Sequence, residues 1–147
     1  MASIQSPTDH MQVAARLRLA VTRLGRRLRQ QAESGLTAST QSALATIARH
    51  GPLSLGELAA HEGVRPPSIS TTVASLESQG MVARDLDATD RRVSRVWVTP
   101  RGRLRLQRDR SRKTAYLAAR LARLDQHDLR LLDEAAAVME RLLEEDR

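Results

Sequence analysis

Apolar residues recur at helical spacing along almost the whole chain, and only residues 82–98 show an alternating pattern instead. Leu17, Val21 and Leu24 illustrate the first pattern, because they follow one another at steps of four and three residues. Such steps place side chains on one face of a helix, whereas alternation is typical of a half-buried strand. The sequence therefore predicts a mainly α-helical fold that contains one small β-hairpin.

The composition agrees with a core in which helices pack on helices. Hydrophobic residues make up 41% of the 147 residues, but the aromatic ones are only Trp97 and Tyr116, so aliphatic side chains must fill the core. A chain of this length usually forms one domain. The absence of cysteine excludes disulfide frameworks and thiolate metal sites.

Capping and stop signals divide the chain into six predicted helices. Thr37 or Ser39 caps the second helix, and Ser54 and Glu57 have the spacing of a capping box at the third. Thr99 precedes a proline at the first position of the fifth helix. The predicted helices cover residues 9–31, 38–50, 54–63, 66–79 and 100–124, and a sixth follows Asp125.

The segment at residues 63–82 reads GVRPPSISTTVASLESQGMV, and most of its non-apolar side chains are small hydroxyls. Ile69, Val73 and Leu76 form the buried stripe of the predicted helix, so the opposite face is short, polar and uncharged. A short helix, a tight break and a second helix of this kind form a helix-turn-helix. Its second helix enters the major groove, where hydroxyl groups pair with donors or acceptors on base edges.

The hairpin that follows this helix turns the predicted motif into a winged helix. Arg91 and Arg92 lie at the tip of the wing, where a narrow loop suits the negative potential of a narrow minor groove. Arg65, just before the second helix of the motif, is predicted to bind a phosphate or a guanine. The predicted DNA-binding residues are Arg65, Pro67, Ser68, Ser70, Thr71, Ser75, Thr89, Asp90, Arg91 and Arg92.

The charge distribution also indicates a polyanionic partner. The net charge is +7, and because residues 125–147 hold eight acidic and three basic residues, residues 1–124 carry +12. Nucleic acid fits this distribution better than a membrane surface, although arginine-rich helices can also be solvated faces. No apolar run reaches the roughly 18 residues of a membrane span. The first ten residues lack the pattern of a signal peptide, so we expect a soluble, cytoplasmic protein.

Three motifs in this order resemble the MarR family of bacterial transcription regulators, and the resemblance covers essentially the whole chain. The recognition segment ends in LESQGMV, the wing reads DATDRR, and the fifth helix begins with VTPRG. The corresponding family patterns include L-E-x-x-G-L-V and L-T-x-x-G. The resemblance implies a six-helix winged helix-turn-helix with a β-hairpin wing, which binds a pseudo-palindromic operator in double-stranded DNA.

The resemblance also implies a homodimer in which the first, fifth and sixth helices of two copies interlock. Narrow apolar seams on the terminal helices favour a dimer independently, although packing within one chain remains the alternative. The predicted regions are residues 1–36 for dimerisation, 37–99 for DNA binding and 100–147 for dimerisation. The predicted dimerisation residues are Leu17, Val21, Leu24, Leu129, Leu132, Met139 and Leu143.

Two departures from the family concern the DNA-binding residues. The family wing commonly reads D-x-R-x-x-R, and here Thr89 stands at the first arginine and Arg92 at the second. Arg91 or Arg92 must therefore supply the minor-groove contact. Thr71 and Ser75 stand at positions that often hold arginine in the recognition helix. The operator sequence consequently does not carry over from relatives.

The sequence as a whole predicts a sequence-specific, dimeric transcription regulator that acts as a repressor, and the resemblance implies that a small-molecule effector would release it from DNA. The alternative is a non-specific architectural DNA-binding protein, which the seven basic residues among residues 101–113 would support. No enzyme is expected, because no paired carboxylate, nucleophile elbow or phosphate-binding glycine loop occurs. The four histidines lack metal-ligand spacing, so neither a metal nor another cofactor is expected.

Overall fold

The computed structural model describes residues 7–144, with side chains from Asp9 onward. The predicted terminal regions also include residues 1–6 and 145–147, which lie outside the described residues. The predicted fold class, a mainly α-helical winged helix-turn-helix, is confirmed. In chain order the elements are α1 (Pro7–Arg29), α2 (Ala38–His50), β1 (Leu53–Ser54), α3 (Leu55–Glu62), α4 (Pro66–Ser78), β2 (Val82–Leu86), β3 (Ser94–Val98), α5 (Pro100–Leu121) and α6 (Gln126–Glu144).

The predicted hairpin is present, and a third strand extends it. β2 and β3 pair antiparallel, with Val82 opposite Val98 at the base and Leu86 opposite Ser94 near the loop. The short β1 pairs antiparallel with the other edge of β3, where Leu53 lies opposite Val96. The strand order is therefore β1-β3-β2, and β1 joins the entrance of α3 to the wing.

The aliphatic core lies entirely in the predicted DNA-binding region. Within the described residues, every buried hydrophobic side chain falls between Ala43 and Val98, so α1, α5 and α6 contribute none. The largest fully buried side chains come from α2, α3, α4 and β3, and they are Leu44, Ile47, Leu58, Ile69, Val73, Leu76 and Val96. The winged helix is thus the part of this chain that can fold around its own hydrophobic core.

The predicted helix caps hold α2 and α3 at their N-terminal ends. The hydroxyl oxygen of Thr37 accepts a hydrogen bond from the N–H of Thr40 at 3.2 Å, so Thr37 rather than Ser39 caps α2. Ser54 and Glu57 form the predicted capping box, with N–H to side-chain oxygen distances of 3.2 and 2.7 Å. These bonds satisfy backbone donors that have no partner within a helix.

α5 begins against the turn between α4 and β2. The hydroxyl of Thr99 donates to the carbonyl oxygen of Gly80 at 2.6 Å and accepts from the N–H of Gly102 at 3.1 Å. A Cβ atom at Gly102 would lie 2.1 Å from the carbonyl oxygen of Met81, so only glycine allows this approach. The start of α5 is therefore fixed to the winged helix.

The terminal helices leave their apolar faces uncovered. α1 packs against α5, yet Leu17, Val21 and Leu24 are each 39% or more exposed. α6 contains no buried residue, although Leu129 and Leu132 lie on its apolar stripe. A single chain therefore exposes two long apolar surfaces, one on α1 before the winged helix and one on α6 after it.

Candidate nucleic-acid interface

A tight turn positions α4 relative to α3. Gly63 ends α3 in the left-handed conformation, with φ of 63°, which a residue with a Cβ atom adopts less easily. Arg65 is the N-terminal flanking residue of α4 in an extended conformation, and its exposed side chain makes no capping bond. Pro66 and Pro67 occupy the first two helical positions, where the missing N–H groups need no partner within the helix.

α4 buries the predicted stripe and exposes the predicted polar face. Ile69, Val73 and Leu76 are at most 2% exposed and pack in the core. The uncharged residues on the opposite side are exposed, and they are Pro67, Ser68, Ser70, Thr71 and Ala74. Among the predicted base-contacting residues, Ser75 alone is half-buried, and its hydroxyl oxygen accepts a bond from Nε2 of Gln79 at 3.4 Å.

Two exposed hydroxyls of α4, those of Ser70 and Thr71, donate their protons to the helix itself. Ser70 donates to the carbonyl oxygen of Pro66 at 3.1 Å, and Thr71 donates to that of Pro67 at 3.3 Å. Side chains of this type commonly form such bonds to the carbonyl four residues earlier. The outward side of each hydroxyl oxygen then carries lone pairs, so this face offers hydrogen-bond acceptors.

The wing loop is organised around the carboxylate of Asp87. Its Oδ1 atom accepts bonds from the hydroxyl of Thr89 at 2.6 Å and from the N–H groups of Thr89 and Asp90 at 2.8 and 3.1 Å. Its Oδ2 atom accepts from Nε of Arg95 at 2.7 Å. These bonds, led by the hydroxyl of Thr89, hold the pKa of Asp87 well below its usual range. Thr89, which stands where the family commonly has arginine, thus closes the loop.

The two arginines at the wing tip differ in their surroundings. Nε of Arg92 donates to Oδ1 of Asp90 at 3.1 Å, and the Arg92 side chain is nevertheless 91% exposed. Arg91 is exposed and, within residues 9–144, its side chain forms no hydrogen bond or ion pair. The predicted wing residues therefore lie together in one loop, where Asp90 orients one guanidinium and the other extends into solvent.

A second ion-pair contact, which sequence reasoning missed, ties the wing to the helix-turn-helix. Arg95 of β3 donates from Nη1 to Oε2 of Glu57 in α3 at 2.6 Å, in addition to its bond with Asp87. The bond from the backbone N–H of Ser54 and the charge of Arg95 lower the pKa of Glu57, and both carboxylates raise that of Arg95. The capping box was the available signal, because it fixes the Glu57 carboxylate beside the sheet.

The basic start of α5 is not a uniform phosphate-binding surface. Arg105, one of its seven basic residues, is 7% exposed and pairs with the buried carboxylate of Asp109 at 3.0 Å. Its charge is therefore neutralised inside the protein. The other six basic residues of residues 101–113 are exposed or half-buried, so the support for a purely electrostatic DNA binder is weaker than the sequence indicates.

The described part of the chain contains no cluster of three or more potential metal ligands. His50 and His61 stack face to face with ring centroids 4.4 Å apart. Two stacked imidazole rings direct their nitrogen lone pairs outward in the ring planes rather than toward a common ion.

Comparisons with known proteins agree with this geometry. Residues 36–94, which include α2, α3, α4 and the wing loop, match the MarR family. An HTH-type transcriptional regulator of Mycobacterium bovis is 38% identical over 134 residues, which cover 90% of this chain and 94% of that protein. A transcriptional regulator protein of Pseudomonas aeruginosa, known from its crystal structure, is 32% identical with a TM-score of 0.83, over 95% of this chain and 98% of that one.

The chain belongs to the MarR family. It is a transcriptional regulator with a DNA-binding fold. Because MarR-family regulators are non-enzymatic DNA-binding proteins, the expectation that this chain is not an enzyme is confirmed. A variant of MepR from Staphylococcus aureus bound to an oligodeoxyribonucleotide shares this MarR-type fold, with a TM-score of 0.67 and 17% identity over 92% of this chain and 98% of that one.

This MarR-family chain presents the predicted dimerisation residues on exposed helix faces. Leu17, Val21 and Leu24 lie on α1, and Leu129, Leu132, Met139 and Leu143 lie on α6. Met139 is half-buried and the other six are exposed.

Within residues 7–144, none of the helices is both long enough and apolar enough to cross a membrane.

Proposed function

We propose that this chain is a homodimeric, cytoplasmic repressor that binds a pseudo-palindromic operator through two α4 helices. The observation that carries this proposal is the exposed, uncharged face of α4 next to a wing with two exposed arginines. Phosphate contacts position such a protein, whereas contacts to base edges give it sequence specificity. In this proposal residues 37–99 bind DNA, and residues 1–36 and 100–147 pair the two copies.

The hydroxyl oxygens of α4 provide the base contacts in this proposal. Because Ser70 and Thr71 use their protons on backbone carbonyls, their oxygens accept from donors. The donors in the major groove are the amino groups of cytosine and adenine. Pro67 and the Thr71 methyl group suit contact with a thymine methyl, and Ser68 and Ser75 border this surface. Arg65, at the entrance of α4, binds a phosphate or a guanine.

The wing provides the minor-groove contact. Arg92 is oriented by Asp90, and Arg91 is free to follow the groove, so either guanidinium can enter where the groove is narrow. Asp90 and Thr89 act here through the shape of the loop, because each bonds to another wing residue. In this proposal Thr89 holds the wing loop in shape through its bonds to Asp87, whereas an arginine commonly stands at this position in the family.

The exposed stripes of α1 and α6 support the dimer. Large apolar patches on a soluble chain mark interaction surfaces, and stripes at steps of three and four residues suit helix-on-helix packing. Charge supports the same pairing: α1 has six arginines and one aspartate, whereas α6 has five acidic residues and two arginines. We therefore place α1 of one copy beside α6 of its partner.

The proposed function also includes repression of transcription and release of the repressor from DNA by an effector. A relative from Bacillus subtilis that is 26% identical, over 69% of this chain and 66% of that protein, is named transcriptional repressor MdtR. An open groove of about 480 Å³ between α2 and α5 is the site we propose for a small-molecule effector. Ser42, Thr46, Arg49 and Arg110 line it, and its two guanidinium groups favour an anionic ligand.

A competition between genomic DNA fragments tests this proposal against the architectural alternative. The purified protein is incubated with the fragmented genome of its own organism at fixed salt, and the bound fragments are sequenced. A specific repressor should prefer its operator by about a thousandfold or more over bulk DNA. Equal recovery of all fragments would support the architectural protein instead, since phosphate contacts alone carry no sequence preference.

A further inference from the structure

A buried ion pair on α5 lies outside the DNA-contacting surface. Nε of Arg105 is 3.0 Å from Oδ2 of Asp109, one helical turn later, and the two residues are 7% and 4% exposed. They are the only buried charged residues among those described. The two side chains bond to each other and to Glu33 and Ser34, and neither is among the residues proposed to contact DNA.

The pair bonds to the connection between α1 and α2, residues 30–37. Oδ1 of Asp109 accepts from the N–H of Glu33 at 2.9 Å. Nη2 of Arg105 donates to the carbonyl oxygens of Glu33 and, at 3.4 Å, Ser34. These bonds join backbone groups of the connection to side chains of α5 that are more than 70 residues later in the chain. The pair thus fastens α1 to the helix that leaves the wing.

This position connects the dimerisation surface to the winged helix. α1 carries the exposed stripe that begins at Leu17, and α2 contributes Leu44 and Ile47 to the core. α5 is fixed to the winged helix at Thr99 and to the connection at Arg105 and Asp109. We call the contact of Arg105 and Asp109 with residues 30–37 the joint. Any change of angle at this joint would move α4 relative to the dimerisation helices.

Stability alone does not account for a buried ion pair. Removing two charges from water is costly, and apolar residues of similar volume often replace such a pair without loss of stability. The best-attested role of a buried polar contact is to select one geometry among several. The bonds of Arg105 and Asp109 to backbone groups of the connection have a fixed direction, unlike apolar packing, so they suit that role.

We propose that Arg105 and Asp109 are positioning residues that set the distance between the two α4 helices of the dimer, and thereby the spacing of operator half-sites. This inference rests on the proposed dimeric function. Each added base pair moves a half-site by about 3.4 Å along the duplex and rotates it about the axis by roughly a tenth of a turn. A rigid joint tolerates one spacing, whereas a loose joint reaches several.

The test compares operators whose half-sites are moved together or apart one base pair at a time. The variant is the double substitution Arg105→Met and Asp109→Leu, which keeps an apolar filling of the site. Arg112→Met, at an exposed position of the same helix, is the matched control. Affinity for a single half-site is measured in parallel, because it reports the DNA-contacting surface without the joint.

The wild type and the control should prefer one spacing by about a hundredfold, since simultaneous engagement of both half-sites is lost at the others. The double variant should bind the single half-site as the wild type does but should discriminate between neighbouring spacings by only about threefold. An unchanged spacing preference in the double variant would overturn the inference alone. A wild type without any spacing preference would overturn the proposed dimeric function.

A second measurement applies even where the double variant does not fold. The chain has no cysteine, so Ala60→Cys, at an exposed position of α3, gives one spin-labelling site per copy. Pulsed electron paramagnetic resonance then gives the distance between the two labels of the dimer. Arg105→Lys retains the charge but lacks the planar fork that reaches both Asp109 and the connection. It should broaden the distance distribution, and a distribution as narrow as that of the wild type would overturn the inference.

Discussion

Nε of Arg95 lies 2.7 Å from Oδ2 of Asp87, so a side chain of β3 is bonded to the residue at which the wing loop begins. The same guanidinium bonds to Glu57 of α3 at 2.6 Å. One arginine therefore connects the loop that carries Arg91 and Arg92 to the helix-turn-helix. The wing and α4 can then approach DNA as one rigid surface, which reduces the ordering cost of binding.

Replacing Arg95 should weaken operator binding although Arg95 itself need not touch DNA. Arg95→Met removes both ion pairs and leaves the wing loop tied only by its own bonds, so affinity should fall by about tenfold from the added ordering cost. Arg84→Met, which breaks the exposed pair with Glu77, is the matched control. Fluorescence anisotropy of labelled operator measures both variants, and equal affinities would show that the Arg95 contacts do not matter.

The wing contacts should be insensitive to pH near neutrality. The pKa of Asp87 is lowered in the folded protein, so its contribution is fully present above the ordinary pKa of about 4 and is lost only as pH falls through the lower folded value. Asp87→Asn should mimic that loss at neutral pH. The ratio of wild-type to variant operator affinity should therefore stay constant between about pH 5 and about pH 8. A ratio that changes within this window would contradict the assignment.

Local sequence signals predicted the parts of the interface that depend on neighbouring residues. The stripe of Ile69, Val73 and Leu76 follows from helical spacing, and the caps at Ser54 and Thr99 follow from residue types at fixed offsets. These features could be predicted because each depends on interactions within one or two helical turns.

Contacts between distant residues could not be predicted in this way. Arg105 resembles the other arginines of its helix in the sequence, and its burial depends on backbone groups of Glu33 and Ser34 more than 70 residues earlier. β1 has two residues, too few to show alternation, and it forms only because β3 offers a free edge. The hydrogen bond from the Thr71 hydroxyl to a backbone carbonyl likewise depends on how the side chain is rotated. The spacing of residues in the sequence does not determine that rotation.

Removing the Arg92 guanidinium should lower both operator affinity and its salt dependence. The 91%-exposed side chain is proposed to enter the minor groove, so Arg92→Ala should reduce the slope of log affinity against log salt by about one. Arg123→Ala, in the exposed connection between α5 and α6, should leave the slope unchanged. A slope that falls equally in both variants would indicate a general charge effect rather than a wing contact.

The hydroxyl oxygen of Thr71 should contribute to discrimination between sequences. Thr71→Val keeps the shape and a methyl group but removes the acceptor, so one operator position should tolerate substitutions that the wild type rejects by about 1–3 kcal/mol. Ser78→Ala, near the end of the same helix, is the control. Affinities for a set of single-base operator variants measure the effect. A uniform loss for all sequences would argue against a base contact.

Charge placed on the α1 stripe should separate the two copies. Val21 lies on the same helix face as Leu17, so Val21→Glu should abolish the dimer and reduce operator affinity by about a hundredfold through the loss of two-site binding. Leu19→Glu is the matched control, because Leu19 is similarly exposed but lies on the opposite face of α1. Light scattering at micromolar concentration gives the mass of each variant, and a Val21→Glu dimer would place the interface elsewhere.

The most direct test of a dimeric repressor with two DNA-reading α4 helices is a footprint of the operator complex combined with the mass of that complex. A dimeric repressor should give two chains per duplex and two protected major-groove half-sites, with centres about 34 Å apart on one side of the DNA. Minor-groove protection by the wings should accompany them. One chain on a single half-site, or protection that spreads along the duplex without sequence preference, would contradict a dimeric repressor.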